Sequence, residues 1–564
     1  MDVSRLDLIV LVGYLAAVTL VGLLGSLRVR GTKDYFLGGR RFGKVLMVGQ
    51  NFSVGTHPEM IVSVAGVVYA TGLSGIWYQW KNLFATPFYW MMAPVFRRAR
   101  RTTVAEMVED RYGPWMAGIY TAYALTYFTI NIASLLKGAA KVINQAVGGY
   151  VGVNHVVVAM TVIFMLYSFI GGKVASVWNT VLQGFLILTL SFMLIPLAWP
   201  HVGGISGMSA VLDPHRLSIV TPAGVGAWTI LMLTLNGLIG IMAMPHQMGV
   251  IATGKDEHSC RIGFFAGNYV KRICTAGWAT VGLVAAALAA RGFFGPQQFP
   301  DPEDIFGALC KRLLFPGLLG LLTACILASC MAACAAFMVD SGALFTQNLY
   351  RRYWVRARPD NHYLWVGRIS GFVITLLGVC YALFLVKRVL YSFLLTETMS
   401  TYMGISFLGG ILWRRANRWG ALASLVTAFS VNFLLYYVRG ERIDHWDANV
   451  FLAALVSGAV TLVVVSLLTG HEPDARLNSF FGRAQTPAGA PESDSATYVD
   501  PAPKRVVAEA GLQSLLVNLL QPIRAACGVG FLRAYRADLT GTVASLALIL
   551  ALVAAVWLIF SMPV

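Results

Sequence analysis

Charge is what this chain has least of. Only 12% of its 564 residues are Asp, Glu, Lys or Arg, and acids are the rarer sign, 26 against 43 bases. A soluble multidomain protein of this length needs more charged surface than that, so the class is excluded. The eight cysteines form no CxxC pair, which argues against a metal centre and against a disulfide framework. Cys325, Cys330 and Cys334 share one apolar stretch and read as small buried thiols. HExxH, GxSxG and paired carboxylates on one helix are all missing, so the sequence offers no enzyme active site and calls for no cofactor.

What is present is apolar. With 57% hydrophobic residues and a mean hydropathy of +0.67, the chain reads as an all-α polytopic protein of the plasma (inner) membrane. A net charge of +17 on a soluble protein would point to nucleic acid. Here the bases sit in short loops between apolar runs, so the positive-inside rule accounts for them and no nucleic-acid partner is implied. The leader Met1–Asp7 sets Asp2 and Asp7 against Arg5 and reads as no cleavable signal.

At about 20 residues per crossing, about fourteen spans are expected. They lie near residues 6–28, 45–72, 76–96, 116–148, 153–171, 176–200, 226–252, 262–291, 306–350, 362–386, 389–413, 418–438, 448–469 and 541–561. The ninth is too long for one crossing, so its first part is expected outside the bilayer, with the crossing from about Leu318. Basic loops at Arg28–Lys44, Arg97–Arg101, Arg351–Arg358 and Arg414–Arg418 fall on one side, and Lys387-Arg388 is the exception. That side is expected to be cytoplasmic, with both termini outside. The chain divides into 1–44 (first span and loop), 45–413 (a ten-helix core), 414–470 (two further spans), 471–540 (cytoplasmic) and 541–564 (last span). Gln485–Pro503 reads as a disordered linker. Leu512, Leu515, Leu516, Leu519 and Leu520, with Lys504, Arg505 and Arg524, suit a helix lying on the inner membrane surface or docked on the core.

Two spans are interrupted. The second carries Ser53, Gly55, Thr56, His57, Pro58 and Glu59 at its centre, and Pro58 should break the helix near Thr56–His57. The seventh carries Asn236, Gly237, Gly240, Pro245 and His246. Broken helices five spans apart and opposite in direction are the expected trace of an inverted five-helix repeat with a solute site between the breaks. Glu59 near the midplane costs about 2.5–3.5 kcal/mol on insertion scales, so it should be paired, protonated or cavity-facing. Its neighbour His57 titrates nearest neutrality and suits either solute binding or capping of freed carbonyls. Among the other charges, Lys81 and Lys141 are expected to snorkel outward, Lys137 to reach a carboxylate, and Asp340 to pair with a basic loop; Glu397 is a further acid to watch.

Several stretches resemble the solute:sodium symporter family: Asp34–Arg40 (DYFLGGR), Val68–Leu73, Thr102–Glu106 with Arg111–Gly113, Tyr167–Gly172 with Val177-Trp178 and Gln183, Phe345-Thr346 with Leu349–Arg352, and Gly410–Asn417 with Gly420. In this order over residues 5–470 they are specific. The resemblance implies a leucine-transporter-like fold and alternating access of a small organic solute. It also implies that Gln79 and Lys271 stand where sugar-transporting relatives contact their substrate. With His57, Glu59, Gly237 and Gly240 they make up the expected solute site. Sodium-coupled relatives are similar to one another in two adjacent hydroxyls on the ninth span and an acid in the sixth. Here those positions are Ala332, Ala333 and Thr180. Methyl groups cannot ligate a hard cation, so facilitated or proton-linked movement is expected over sodium coupling. Ser53, Thr56 and Ser329 are the oxygens left for a relocated sodium site. The competing class is a membrane sensor or receptor on the same fold.

Overall fold

The computed structural model describes the chain apart from residues 1–3, 28–30, 148, 150–151, 296–298, 300, 441–445, 489–513, 520–528 and 562–564. Most of the expected linker, and Leu512, Leu520, Lys504, Arg505 and Arg524 of the expected surface helix, therefore lie outside the described residues. Among those described there is no strand, only an isolated bridge between Phe42 and Gly254. Nine described helices are long and apolar enough to cross a bilayer, and Pro58–Thr71, Val153–Met165 and Ala227–Gly240 are shorter apolar helices.

The helices that position the site are α1 (Arg5–Ser26), α2 (Lys44–Gly55), α3 (Pro58–Thr71), α4 (Ala85–Ala99), α5 (Pro114–Ala146), α6 (Val153–Phe192), α7 (Ala227–Gly240), α8 (His246–Ile251), α9 (Glu257–Ala290), α10 (Ile305–Leu313), α11 (Leu318–Phe345), α12 (Asp360–Phe384) and α13 (Val389–Leu412). Two outer helices, α14 (Arg418–Val438) and α15 (Ala448–Leu468), pair with each other, and α16 (Asp474–Gln485) and α17 (Arg536–Ser561) follow. Burial separates core from periphery: the apolar window of α11 is 83% buried and that of α17 only 22%. Leucines and valines on the outer helices are left for lipid, which is as apolar as they are.

Local chemistry sets each interruption. Pro58 cannot donate and pushes the residue before it out of the helical region, so Thr56 and His57 are extended (ψ 109° and 154°) and Pro58 opens α3. The second break runs from Ile241 to Pro245 between α7 and α8. Within α6, Gly172 is kinked at φ 53°, where a Cβ would strike the Tyr35 ring. The long ninth run divides at Gly317, φ 94°, into α10 and α11. Along the first broken span, α9 packs closely enough that a Cβ on Gly267 would fall 2.7 Å from that of Asn51.

The stretches that carry the family resemblance turn out to be joints. Thr103 and Glu106 form a reciprocal cap on the helix Val104–Tyr112. From that helix Arg111 donates to the carbonyls of Gly410, Trp413 and Ala416, and Tyr112 to that of Ser406. Arg98 forms a two-pronged bond with Glu257 at 2.8 and 3.0 Å.

Candidate functional site

The two breaks meet in one polar cavity. Val54, Gly55 and His57 come from the first break, and Ile241, Met244, His246 and Gln247 from the second. The remaining wall is Asn82 and Tyr89, Tyr127 and Asn131 on α5, Phe264, Asn268, Lys271 and Arg272 on α9, and Phe393 and Glu397 on α13. About 50 Å³ is open to water-sized groups.

Donors from other residues bond the carbonyls freed at the first break. His57 Nε2 contacts Val54 O, and its Nδ1 lies 2.7 Å from Glu59 Oε1. Ser329 Oγ donates to Thr56 O at 2.8 Å, and Ser53 Oγ to Thr180 O at 2.6 Å. The Thr180 hydroxyl donates to Val177 O of its own helix, whereas the buried Thr56 hydroxyl has no hydrogen-bond partner. Ala332 and Ala333 are buried in α11. Glu59 backs onto α5, where Gly138 leaves so little room that a Cβ would fall 2.7 Å from Glu59 Cα.

The expected solute residues take different places. His57 and Lys271 line the cavity. Glu59 reaches it through His57. Gln79 is buried with neither side-chain amide atom hydrogen-bonded, while its carbonyl accepts from Arg272. Gly237 and Gly240 let α7 approach its neighbours: a Cβ on Gly237 would meet Asn82 Oδ1 at 2.5 Å, and one on Gly240 Thr401 Oγ1 at 2.8 Å.

Four charge expectations are corrected. Lys81 does not snorkel. The third span is interrupted at residues 81–84, so the lysine is fully buried, paired with Glu397 and 4.6 Å from the Phe393 ring centre. Asp340 pairs with the buried Lys173 at 2.8 Å, not with a basic loop. Lys141 is bound by Asp301 at 2.7 Å and by Glu303, because the segment before α10 folds back over α5. Lys137 meets the amide oxygen of Asn154 at 3.3 Å rather than a carboxylate. Sequence reasoning also passed over Arg272, Asn82, Asn131, Asn268, Tyr127 and Lys173. For Arg272 the available signal was a full charge inside an apolar run.

This architecture is shared with solved transporters. A Na+-coupled sialic acid symporter in its substrate-bound outward-open state superposes with a TM-score of 0.71 at 19% identity, over 83% of this chain and 99% of that one. Mhp1, a nucleobase-cation-symport-1 family transporter, superposes in its closed conformation with a TM-score of 0.50 at 13% identity, over 79% of this chain and 97% of that one. The fold is therefore leucine-transporter-like. The pattern of the sodium:solute symporter family matches residues 35–428. The chain belongs to that family: it is an integral membrane transporter and not an enzyme. It is 25% identical to the osmoregulated proline transporter OpuE of Bacillus subtilis (strain 168) over 496 residues, 84% of this chain and 97% of the relative. It is 26% identical to the sodium/glucose cotransporter 2 of Rattus norvegicus over 430 residues, 66% of this chain and 62% of the relative.

Proposed function

We propose that this protein moves a small organic solute across the plasma membrane by alternating access through the cavity between its two breaks, without sodium at the family's usual position. The observation that carries the proposal is the set of polar side chains, most of them buried, that both breaks and four other segments turn toward one space. Polar and charged groups at membrane depth are costly, and where they face a shared cavity they mark a solute or ion path. In this reading His57 and Lys271 contact solute, Glu59 tunes His57, and Gln79, Gly237 and Gly240 support the wall.

Ala332, Ala333 and Thr180 supply no hydroxyl pair and no acid, and Thr56 O is taken by Ser329. Hydroxyl oxygens of Ser53, Thr56 and Ser329 remain the only basis for a relocated sodium site. His57 and Glu59, in contact at 2.7 Å, are the proton-linked alternative. Initial uptake into proteoliposomes, with sodium replaced by potassium or choline at fixed pH, should keep its rate. A tenfold or greater loss restored by sodium alone would end this reading. Binding of solute with no net uptake would favour the sensor.

The accompanying topology is about fourteen spans around an inverted-repeat core at 45–413, with both termini outside and 471–540 cytoplasmic. A cysteine introduced at Ser493 should resist an impermeant thiol reagent applied to intact cells.

A further inference from the structure

Building on the transport reading above, we infer that the solute is a small monocarboxylate without an ammonium group, its carboxylate held by Lys271 and Arg272. The inference comes from which charges in the cavity are already matched. Glu397 is matched by Lys81, and Glu59 contacts His57. Outside the cavity wall, Asp340 is matched by Lys173. Two cations are left over. Lys271 is 6% exposed, lines the cavity and has no hydrogen bond or ion pair among the described residues. Arg272, 1% exposed, meets only neutral groups: Thr86 Oγ1 at 3.5 Å, Gln79 O at 3.3 Å and the Tyr89 hydroxyl.

Neither is bonded to a carboxylate; Glu59, held by His57, is the one acid within electrostatic reach of Lys271. Lys81, Lys271 and Arg272 thus outnumber Glu397 and Glu59 by one, and a surplus buried positive charge is expensive to keep. A solute bringing one negative charge into the cavity would offset that cost. The same inventory excludes a zwitterion. An amino acid's ammonium would return the positive charge that its carboxylate offsets, and among the described residues lining the cavity the sole acid is Glu397, already paired with Lys81. Phe264, Phe393, Tyr89, Tyr127, Ile241 and Met244 form the apolar part of the wall, beside the amides of Asn82, Asn131, Gln247 and Asn268, which suits a short body carrying a hydroxyl or carbonyl. At about 10–15 Å³ per water, 50 Å³ is roughly three to five water positions, which favours a few heavy atoms over a hexose.

L-Lactate and L-alanine provide the test, because they share a carboxylate and differ by hydroxyl against ammonium. Both are titrated into the purified full-length protein, with binding read as a concentration-dependent rise in melting temperature. Lactate, pyruvate or acetate should bind, with lactate at least tenfold tighter than alanine. Lys271→Met should weaken lactate on the order of 10- to 100-fold, and Lys271→Arg should retain most of the affinity. Tighter binding of L-alanine, L-proline or D-glucose than of any monocarboxylate overturns the inference, as does an equal shift from potassium chloride, which would assign an inorganic anion. The wild-type comparison decides the matter even if K271M does not fold. Proteoliposome uptake of the same compounds separates the two readings. Lactate binding without uptake refutes transport and keeps the anion site. Uptake of proline or glucose without carboxylate binding does the reverse.

Discussion

The two breaks face one cavity but hold their backbone differently. At the first, Thr56 and His57 are extended, and the carbonyls nearby are bonded by His57 itself and by Ser329 on α11. Ser53, one turn earlier, bonds to α6 through Thr180 O. The second break winds on itself: Ala243 N donates to Gly240 O at 3.0 Å and Gln247 N to Met244 O at 3.2 Å. One outside donor, the Tyr120 hydroxyl, reaches Ala243 O at 2.6 Å. Freed carbonyls at membrane depth must find donors somewhere. The first break takes one donor from its own His57 and one from Ser329 on α11, and Ser53 donates onward to α6, whereas the second is bonded largely within its own turn and presents an apolar face, Ile241 to Met244. Under the proposed function, coupling would act at the first break, and the second would mainly shape the cavity.

If that contrast holds, the largest functional effect belongs to the first break. Glu59→Gln keeps an oxygen for His57 Nδ1 and removes only the charge, so folding should stay near wild type while uptake falls at least tenfold. Wild-type uptake kinetics in this variant would remove Glu59 from the mechanism. The largest effect on stability belongs to the pair behind the second break. Lys81→Met leaves Glu397 buried without its partner and should cost about 3–5 kcal/mol, read as a lower melting temperature in detergent. The double variant Lys81→Met with Glu397→Gln should recover most of it, and a double variant as unstable as the single one would contradict the pairing. Back at the first break, Ser329→Ala orphans Thr56 O and should cost about 1–3 kcal/mol, with a matching loss of uptake. If added sodium restored that variant alone, the hydroxyl would prove to be filling the ion's place.

How much of this could be read in the sequence follows from how local each cause is. Pro58 breaks its helix through its own ring, so the first interruption was legible, as was the division of the ninth run. The all-helical membrane class followed from composition. The charge pairing was not legible. Lys81 looked shallow because its span was read as one rod, yet the chain turns at 81–84 and carries the lysine inward to a glutamate on α13. Lys173 follows two glycines at a span boundary and read as a loop residue; only packing reveals its bond to Asp340. Arg272 went unremarked beside Lys271, because adjacent helix positions point to different faces and only their neighbours show that both meet the cavity.

The smallest predicted effect is the sharpest test of the contrast between the breaks. Tyr120→Phe deletes one hydroxyl, 0% exposed in the native fold, and removes the single side-chain donor to the second break. The ring remains to fill its space beside Tyr123, so no cavity opens and the loss is confined to one hydrogen bond. Such a bond contributes about 1 kcal/mol net. Because the turn also holds itself through Ala243 N and Gln247 N, the backbone should stay in place. Uptake should then fall less than threefold, well short of Ser329→Ala. Parallel melting curves and uptake rates for the two variants check this. A larger loss of transport in Tyr120→Phe than in Ser329→Ala would mean that the second break, not the first, is the coupled element.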